Sequence, residues 1–243
     1  MAILGGALAR ELGNVVNALA IVAGAGLGLF LMRGIPQSYQ KLVMQAIGLS
    51  TLLIGMQSAL KSQDLLVVII AMILGAVTGT FLRLEERLEG VGERLQGLVG
   101  AAAGRFTEAF MTPTLVYIVG AMAVMGPLQS GLTGDHSIVY AKSVLDGTTA
   151  IIFAATLGPG VVLSALPVFV YQGTITLFAT WIAPFLTPPM LNELVATGGL
   201  LIFGIGINLL ELTRVKVGNL LPALIVAPLL VWLKMVLSVH GLP

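Results

Sequence analysis

Residues 12–32, LGNVVNALAIVAGAGLGLFLM, run without a charged side chain. A helix rises 1.5 Å per residue, so about 20 residues cross the roughly 30 Å hydrocarbon core of a bilayer. Backbone in hydrocarbon must satisfy its own hydrogen bonds, and the alternation of a barrel strand is absent, so the stretch reads as a membrane-spanning helix. The residues around its start, MAILGGALARELGN, lack the basic opening and cleavage site of a removable signal. The first span is therefore expected to be permanent.

Similar runs recur along the chain. Eight spans are expected, at 12–32, 42–60, 65–83, 113–130, 137–157, 161–182, 190–210 and 219–238, which makes residues 1–243 one all-α, polytopic transmembrane helix bundle. Composition agrees: 57% of residues are hydrophobic and 9% charged, with a mean hydropathy of +1.03. A soluble domain carries about 25% charged residues. The Gly-Pro-Gly at 158–160 is read as a tight turn between the fifth and sixth spans rather than a break in a re-entrant element.

Basic residues between spans set orientation. Arg33, Lys41, Arg87, Arg94, Arg105, Arg214 and Lys216 fall in loops 33–41, 84–112 and 211–218, all on one side of an eight-span chain. That side is expected to be cytoplasmic, with both termini outside. Within 84–112, Leu84, Leu88, Val91, Leu95 and Leu98 alternate spacings of four and three, the pattern of an amphipathic helix. This cytoplasmic connector either lies on the membrane surface or a partner, or is a solvated link with one apolar face.

Several functions are excluded or disfavoured. A net charge of +1 gives no footprint for nucleic acid, and zero cysteines rule out disulfide, iron–sulfur and thiol chemistry. His136 and His240 are the two histidines, and no acidic cluster has ligand spacing, so no metal or cofactor is expected. No nucleotide-binding loop is present. Asp135 and Asp146 bring an intramembrane aspartyl protease to mind, but GLTGD has one residue too many for a Gly-x-Gly-Asp signature. A Ser143–Lys142 dyad fails because adjacent helical residues point about 100° apart. An enzyme is not expected.

Internal similarities suggest an architecture. GAGLGLFL at 24–31 parallels GAVTGTFL at 75–82, each with a Gly-xxx-Gly face for close helix contact. GLSTLLIGMQ at 48–57 parallels GLLIFGIGIN at 199–208, with two glycines seven apart followed by Gln57 or Asn208. LGNVVNALAI at 12–21 parallels LGPGVVLSALPV at 157–168 once two residues are inserted. Spans 1–3 thus read as recurring in the opposite sense as spans 6–8, the inverted repeat of many secondary transporters. Common helix-packing glycines are the alternative explanation.

The polar residues of the apolar runs point to a site. Counted from Ser137, Lys142 lies about 8 Å and Asp146 about 14 Å into the fifth span. A charge at the membrane centre costs about 2.5–3.5 kcal/mol on insertion scales, so neither is expected to face lipid. Four residues apart, they share a helix face and can pair. Either the pair pins helices together, or Asp146 binds a cation or proton with Lys142 as its exchangeable counter-charge. Ser143, Asn17, Gln57, Gln172, Asn208 and Asn219 are candidate neighbours, with Asn14 and Gln129 as further buried amides. Asp135 and His136, in the turn before the fifth span, are cap or gate candidates.

Four stretches together carry a resemblance: GNVVNALAIVAGAGLG, VGAMAVMGPLQSGLTGDHS, YAKSVLDGTTAIIFAATLGPGVVLSALPVFVYQG and GGLLIFGIGINLLELTRVKVGNLLPA. They resemble the YqgA/YdfK-like family (DUF554) of uncharacterised prokaryotic multi-pass membrane proteins, most specifically in Lys-Ser-x-x-Asp-Gly and Tyr-Gln-Gly. The resemblance implies a prokaryotic cell (inner) membrane and no defined substrate. The leading expectation is an ion- or proton-coupled secondary transporter of a small solute or ion, centred on Lys142 and Asp146 and compatible with a homodimer. The alternatives are an ion channel, and a structural or assembly protein acting through its Gly-xxx-Gly faces and connector.

Overall fold

The computed structural model describes residues 2–31, 37–88, 90 and 106–239. Regular structure among them is helical throughout: α1 (Ala2–Leu31), α2 (Gln37–Ala59), α3 (Leu65–Phe81), α4 (Phe106–Val119), α5 (Ala121–Thr133), α6 (Ser137–Leu157), α7 (Gly160–Leu163), α8 (Ala165–Leu177), α9 (Ala179–Ile182), α10 (Pro188–Leu209) and α11 (Ala223–Val239). Single 3₁₀ turns occupy Ala183–Phe185 and Val217–Leu220. Arg33, Arg94, Arg105, His240 and residues 91–105 of the expected connector lie outside the described residues; its residues 84–88 are helical and 106–112 already belong to α4.

The surface is that of a membrane protein. Val144, Leu145, Leu19, Phe30 and Phe81 are exposed while Asn14, Asn17, Lys142, Asp146 and Gln172 are buried. Leu145 at 56% exposure adjoins Asp146 at 6%, so α6 turns its charge inward and its leucine outward, the reverse of a helix in water.

Among the described residues, six helices are long and apolar enough to cross a bilayer, and α4 and α5 form a further bent pair. The fourth span expected at 113–130 falls on this pair: its first helix starts at Phe106 and the pair bends by 60°, where Gly120 leaves the helical region at φ −72°, ψ 153°. α3 is shorter than the 65–83 expected and ends at Phe81, where Arg83 adopts φ 50°. The Gly-Pro-Gly is a turn. Gly158 takes φ 99°, ψ −162°, a conformation confined to glycine, and Pro159 caps α7.

The chain forms two compact units, Met1–Gln40 with Val91–Phe185 and Lys41–Gly90 with Leu186–Pro243. In the first unit, α1 and α6 run parallel with their backbones in contact. A Cβ built on Gly24 would lie 2.1 Å from the Gly147 carbonyl oxygen, and one on Gly28 would lie 2.2 Å from that of Ile151. Approach this close is open to glycine alone and permits Cα–H···O contacts along the seam. α8 runs antiparallel to α1, with Thr176 bonded to Asn14 and Gln172 to Asn17.

In the second unit, α3 lies antiparallel to α11, with Gly79 against Asn219 and Gly75 against Ala223. α2 lies antiparallel to α10 through four glycines: Gly48 faces Leu210 and Gly199 faces Ala59, while Gly55 faces Phe203 and Gly206 faces Leu52. The second member of each couple is the first shifted by one constant offset, so this helix pair has a local two-fold arrangement of contacts.

Candidate functional site

The first unit gathers its polar side chains into one buried network. Lys142 and Asp146, one turn apart on α6, form an ion pair through Asp146 Oδ2. Lys142 Nζ also lies 5.6 Å from the centroid of the Tyr117 ring on α4, within cation–π range. Asn17 donates from Nδ2 to the same carboxylate oxygen at 3.1 Å and to Gln172 Oε1 on α8 at 3.0 Å. Further along α1, Asn14 Nδ2 donates to Glu11 Oε2 at 2.8 Å and to Thr176 Oγ1 at 2.9 Å. The Thr176 hydroxyl in turn donates to the Pro127 carbonyl at 3.1 Å.

These bonds fix which way the amides face. A carboxylate accepts and never donates when ionised, so Asn17 must turn its NH₂ toward Asp146 and Asn14 its NH₂ toward Glu11. What remains has no hydrogen-bond partner among the described residues: Asn17 Oδ1, Asn14 Oδ1, Glu11 Oε1 and Gln172 Nε2. Asn14, Asn17 and Gln172 are fully buried. Buried polar groups are normally paired, and an orphaned one costs about 1–3 kcal/mol.

Glycines make the room. Gly147, immediately after Asp146, sits against the Ala20 carbonyl, and Gly173, immediately after Gln172, sits against the Glu11 carboxylate. The two sequence elements most specific to the family resemblance, Lys-Ser-x-x-Asp-Gly and Tyr-Gln-Gly, are therefore both walls of one network. Ser143 takes no part in it: its hydroxyl donates to the Val139 carbonyl of its own helix at 2.8 Å.

The turn before α6 is closed by its own side chains. Asp135 accepts from the Ser137 amide at 2.9 Å and from Gln129 Nε2 at 2.6 Å. The Ser137 N–H, ahead of Gln129 and the neighbouring His136, holds the Asp135 carboxyl below its ordinary range. His136 bridges to α1, with Nε2 3.0 Å from the Ala9 carbonyl and Nδ1 3.0 Å from Ser130 Oγ. Because a carbonyl only accepts, Nε2 carries the proton.

Gln57, Asn208 and Asn219 belong to the second unit, and the two asparagines serve its loops. Asn208 donates to the Val215 carbonyl at 2.8 Å and accepts from the Val215 amide at 2.7 Å, so both ends of its amide clamp the loop after α10. Asn219 Oδ1 accepts from the Glu85 amide at 2.9 Å. Gln57 is exposed. Three acidic residues absent from the sequence-based candidates matter here and in the first unit. Glu193 on α10 is fully buried and accepts from Ser62 Oγ, the Gln63 amide and the Asp64 amide at 2.7, 2.7 and 3.0 Å. Glu85 accepts from the Gly218 amide at 2.7 Å. Glu11 ends the network of the first unit. Each lies within a few residues of a span boundary, where a carboxylate reads as an interfacial charge. A cavity of about 480 Å³ opens beside Glu193, flanked by Asp64 and Lys234. Lys234 donates to Asp64 at 2.6 Å, and this bond foremost holds the Asp64 carboxyl below its ordinary range.

Lipid-facing leucines around buried charges and helices of membrane length define an all-helical, multi-pass membrane protein. The chain belongs to the DUF554 family, described as a protein of unknown function, whose profile matches residues 12–232. It is 29% identical to "Uncharacterized membrane protein YdfK" of Bacillus subtilis (strain 168) over 224 residues, 90% of this chain and 95% of that protein. It is 31% identical to "Uncharacterized protein YqgA" of Escherichia coli (strain K12) over 221 residues, 89% of this chain and 94% of that protein. No solved structure matches.

Proposed function

We propose that this protein is a secondary, ion- or proton-coupled transporter of a small solute or ion in the prokaryotic cell (inner) membrane, with its site at Lys142, Asp146, Asn17 and Gln172. One observation carries the reading: fully buried amides beside a buried ion pair retain unpaired atoms. A pair whose role is to pin helices gains from having every polar neighbour satisfied, since a half-satisfied network is worse than an apolar core. Unused bonding capacity at membrane depth suits a group that binds and leaves.

Two features support the transporter architecture. The offset-related glycine contacts of α2 and α10 are those expected of an inverted repeat, in which like elements face each other across a local two-fold. The antiparallel senses of α1/α8, α2/α10 and α3/α11 fit spans 1–3 recurring as spans 6–8 of eight, with both termini outside. The assembly-protein alternative is weakened, because Gly24, Gly28, Gly75 and Gly79 are filled by contacts within the chain.

Purified protein in liposomes tests the reading. Uptake of ²²Na⁺, ⁸⁶Rb⁺ or a panel of small solutes under imposed sodium, potassium and pH gradients should reveal a saturable flux, reduced at least tenfold by Asp146→Asn. If nothing moves under any gradient and Asp146→Asn leaves cellular behaviour unchanged, the protein is not a carrier.

A further inference from the structure

Glu11, Asn14 and Asn17 follow one another at three-residue spacing on α1, and each ends in an oxygen without a hydrogen-bond partner among the described residues: Glu11 Oε1, Asn14 Oδ1 and Asn17 Oδ1. The membrane-crossing part of α1 begins at Ala9. Glu11 is half-buried near that edge, and Asn17 lies about 9 Å deeper at 1.5 Å per residue. Asn17 is bonded to Asp146. The row therefore leads from the rim of the first unit to the buried ion pair.

The chemistry of the row is one-sided. Three orphaned acceptor oxygens stand against one orphaned donor, Gln172 Nε2; the Tyr117 hydroxyl, which has no geometric hydrogen-bond partner, can act either way. With Glu11 and Asp146 ionised and Lys142 protonated, the row carries one surplus negative charge. His136 at the rim turns its Nε2–H to the Ala9 carbonyl, and Arg10 is exposed. Oxygen-only ligands select hard cations, and a single surplus charge matches a monovalent one, whereas divalent ions are held by several carboxylates. Space is provided beside the outermost oxygen pair: a Cβ on Gly173 would lie 3.2 Å from Glu11 Oε2.

We infer that Glu11, Asn14 and Asn17 form an entry lane for a monovalent cation leading to Asp146, with Glu11 as its outer station. The inference rests on the carrier reading of Asp146 and adds the cationic coupling species, its route and a residue that reading does not use. Glu11 is a binding residue in this scheme. Asn14 is held by Glu11 and Thr176 so that its oxygen stays bare.

The test follows thermal unfolding of the full-length protein in lipid nanodiscs while NaCl, KCl or LiCl replaces choline chloride at constant ionic strength, and separately while pH falls in choline chloride alone. One alkali cation should raise the melting temperature saturably where choline does not; stabilisation by pH alone would identify the cation as a proton. Glu11→Gln, which keeps an acceptor for Asn14, should move the midpoint at least tenfold to higher concentration. Gly173→Ala, which crowds the carboxylate, should move it in the same direction and serves if Glu11→Gln does not fold. Absence of any cation dependence, or an unchanged midpoint in the variant that folds, overturns the lane. If Asp146→Asn abolishes flux while the lane variants leave midpoint and flux untouched, the lane fails and the carrier stands. If a cation binds in a Glu11-dependent way but nothing is transported, the carrier fails and the cation site stands.

Discussion

The two units use the same residue types for different ends. In the second unit, Glu193, Glu85, Asn208 and Asn219 sit at helix ends and bond to the backbone of a neighbouring loop, so their polar capacity goes into closing turns. In the first unit, Glu11, Asn14, Asn17, Lys142, Asp146 and Gln172 sit within helices, bond to other side chains, and leave three oxygens and an amide nitrogen without a partner among the described residues. Thr197, whose buried hydroxyl oxygen has no partner, is the exception in the second unit. A buried polar residue is thus not informative by type. The informative property is whether its bonds are all taken by the fold.

The largest break of this comparison comes from the ion pair. Asp146→Ala strands a buried ammonium and should destabilise the protein by about 3–5 kcal/mol, as removal of one partner of a buried pair does. Lys142→Met with Asp146→Leu removes both charges and should recover most of that stability in thermal melts while abolishing flux. Recovery of both stability and flux would make the pair a pin.

Glu193→Gln probes the opposite case. Glutamine keeps one acceptor but loses the charge, so the turn at residues 62–64 should weaken by about 1.5–3 kcal/mol, the value of hydrogen bonds to a charged group. The expected signature is faster amide exchange at Gln63 and Asp64 with flux unchanged at a permissive temperature. A flux defect without loss of stability would show that the second unit also holds functional polar capacity.

The smallest effect belongs to Asp135. Its folded-state pKa is depressed, so its contribution to stability is present above the ordinary carboxylate value, about 3.9, and is lost as pH falls through the lower folded value. Asp135→Ala should lower the melting temperature slightly at neutral pH, and its difference from wild type should vanish under strongly acidic conditions. A difference that persists there would remove the carboxylate from the capping role.

Much of this was open to sequence because hydrocarbon imposes length and hydrophobicity directly. The spans of α1, α2, α6 and α10, the turn at Gly158 and the pairing of Lys142 with Asp146 all follow from short-range spacing. Gly24 and Gly28 advertise a close contact, but that the surface facing them is the Gly147 and Ile151 backbone depends on tertiary packing. The bend at Gly120 was hidden because apolar residues flank it on both sides and the break is one backbone conformation. Asn208 and Asn219 were indistinguishable from Asn17 in sequence, since a loop clamp and a site residue have the same composition and differ only in partners. Glu11 and Glu193 escaped notice because a carboxylate near a span boundary is ordinary until its burial is known.

The most direct test of the central claim, that the first unit's polar network is a wet, occupied site, uses the absence of cysteine from the chain. Gln172→Cys should react with a small membrane-impermeant methanethiosulfonate reagent added from one side of the bilayer. Leu201→Cys, at a fully buried apolar position of the second unit, should stay unmodified. Equal protection of both thiols in folded protein, from both sides and under every gradient, would show a dry helix contact and contradict the account.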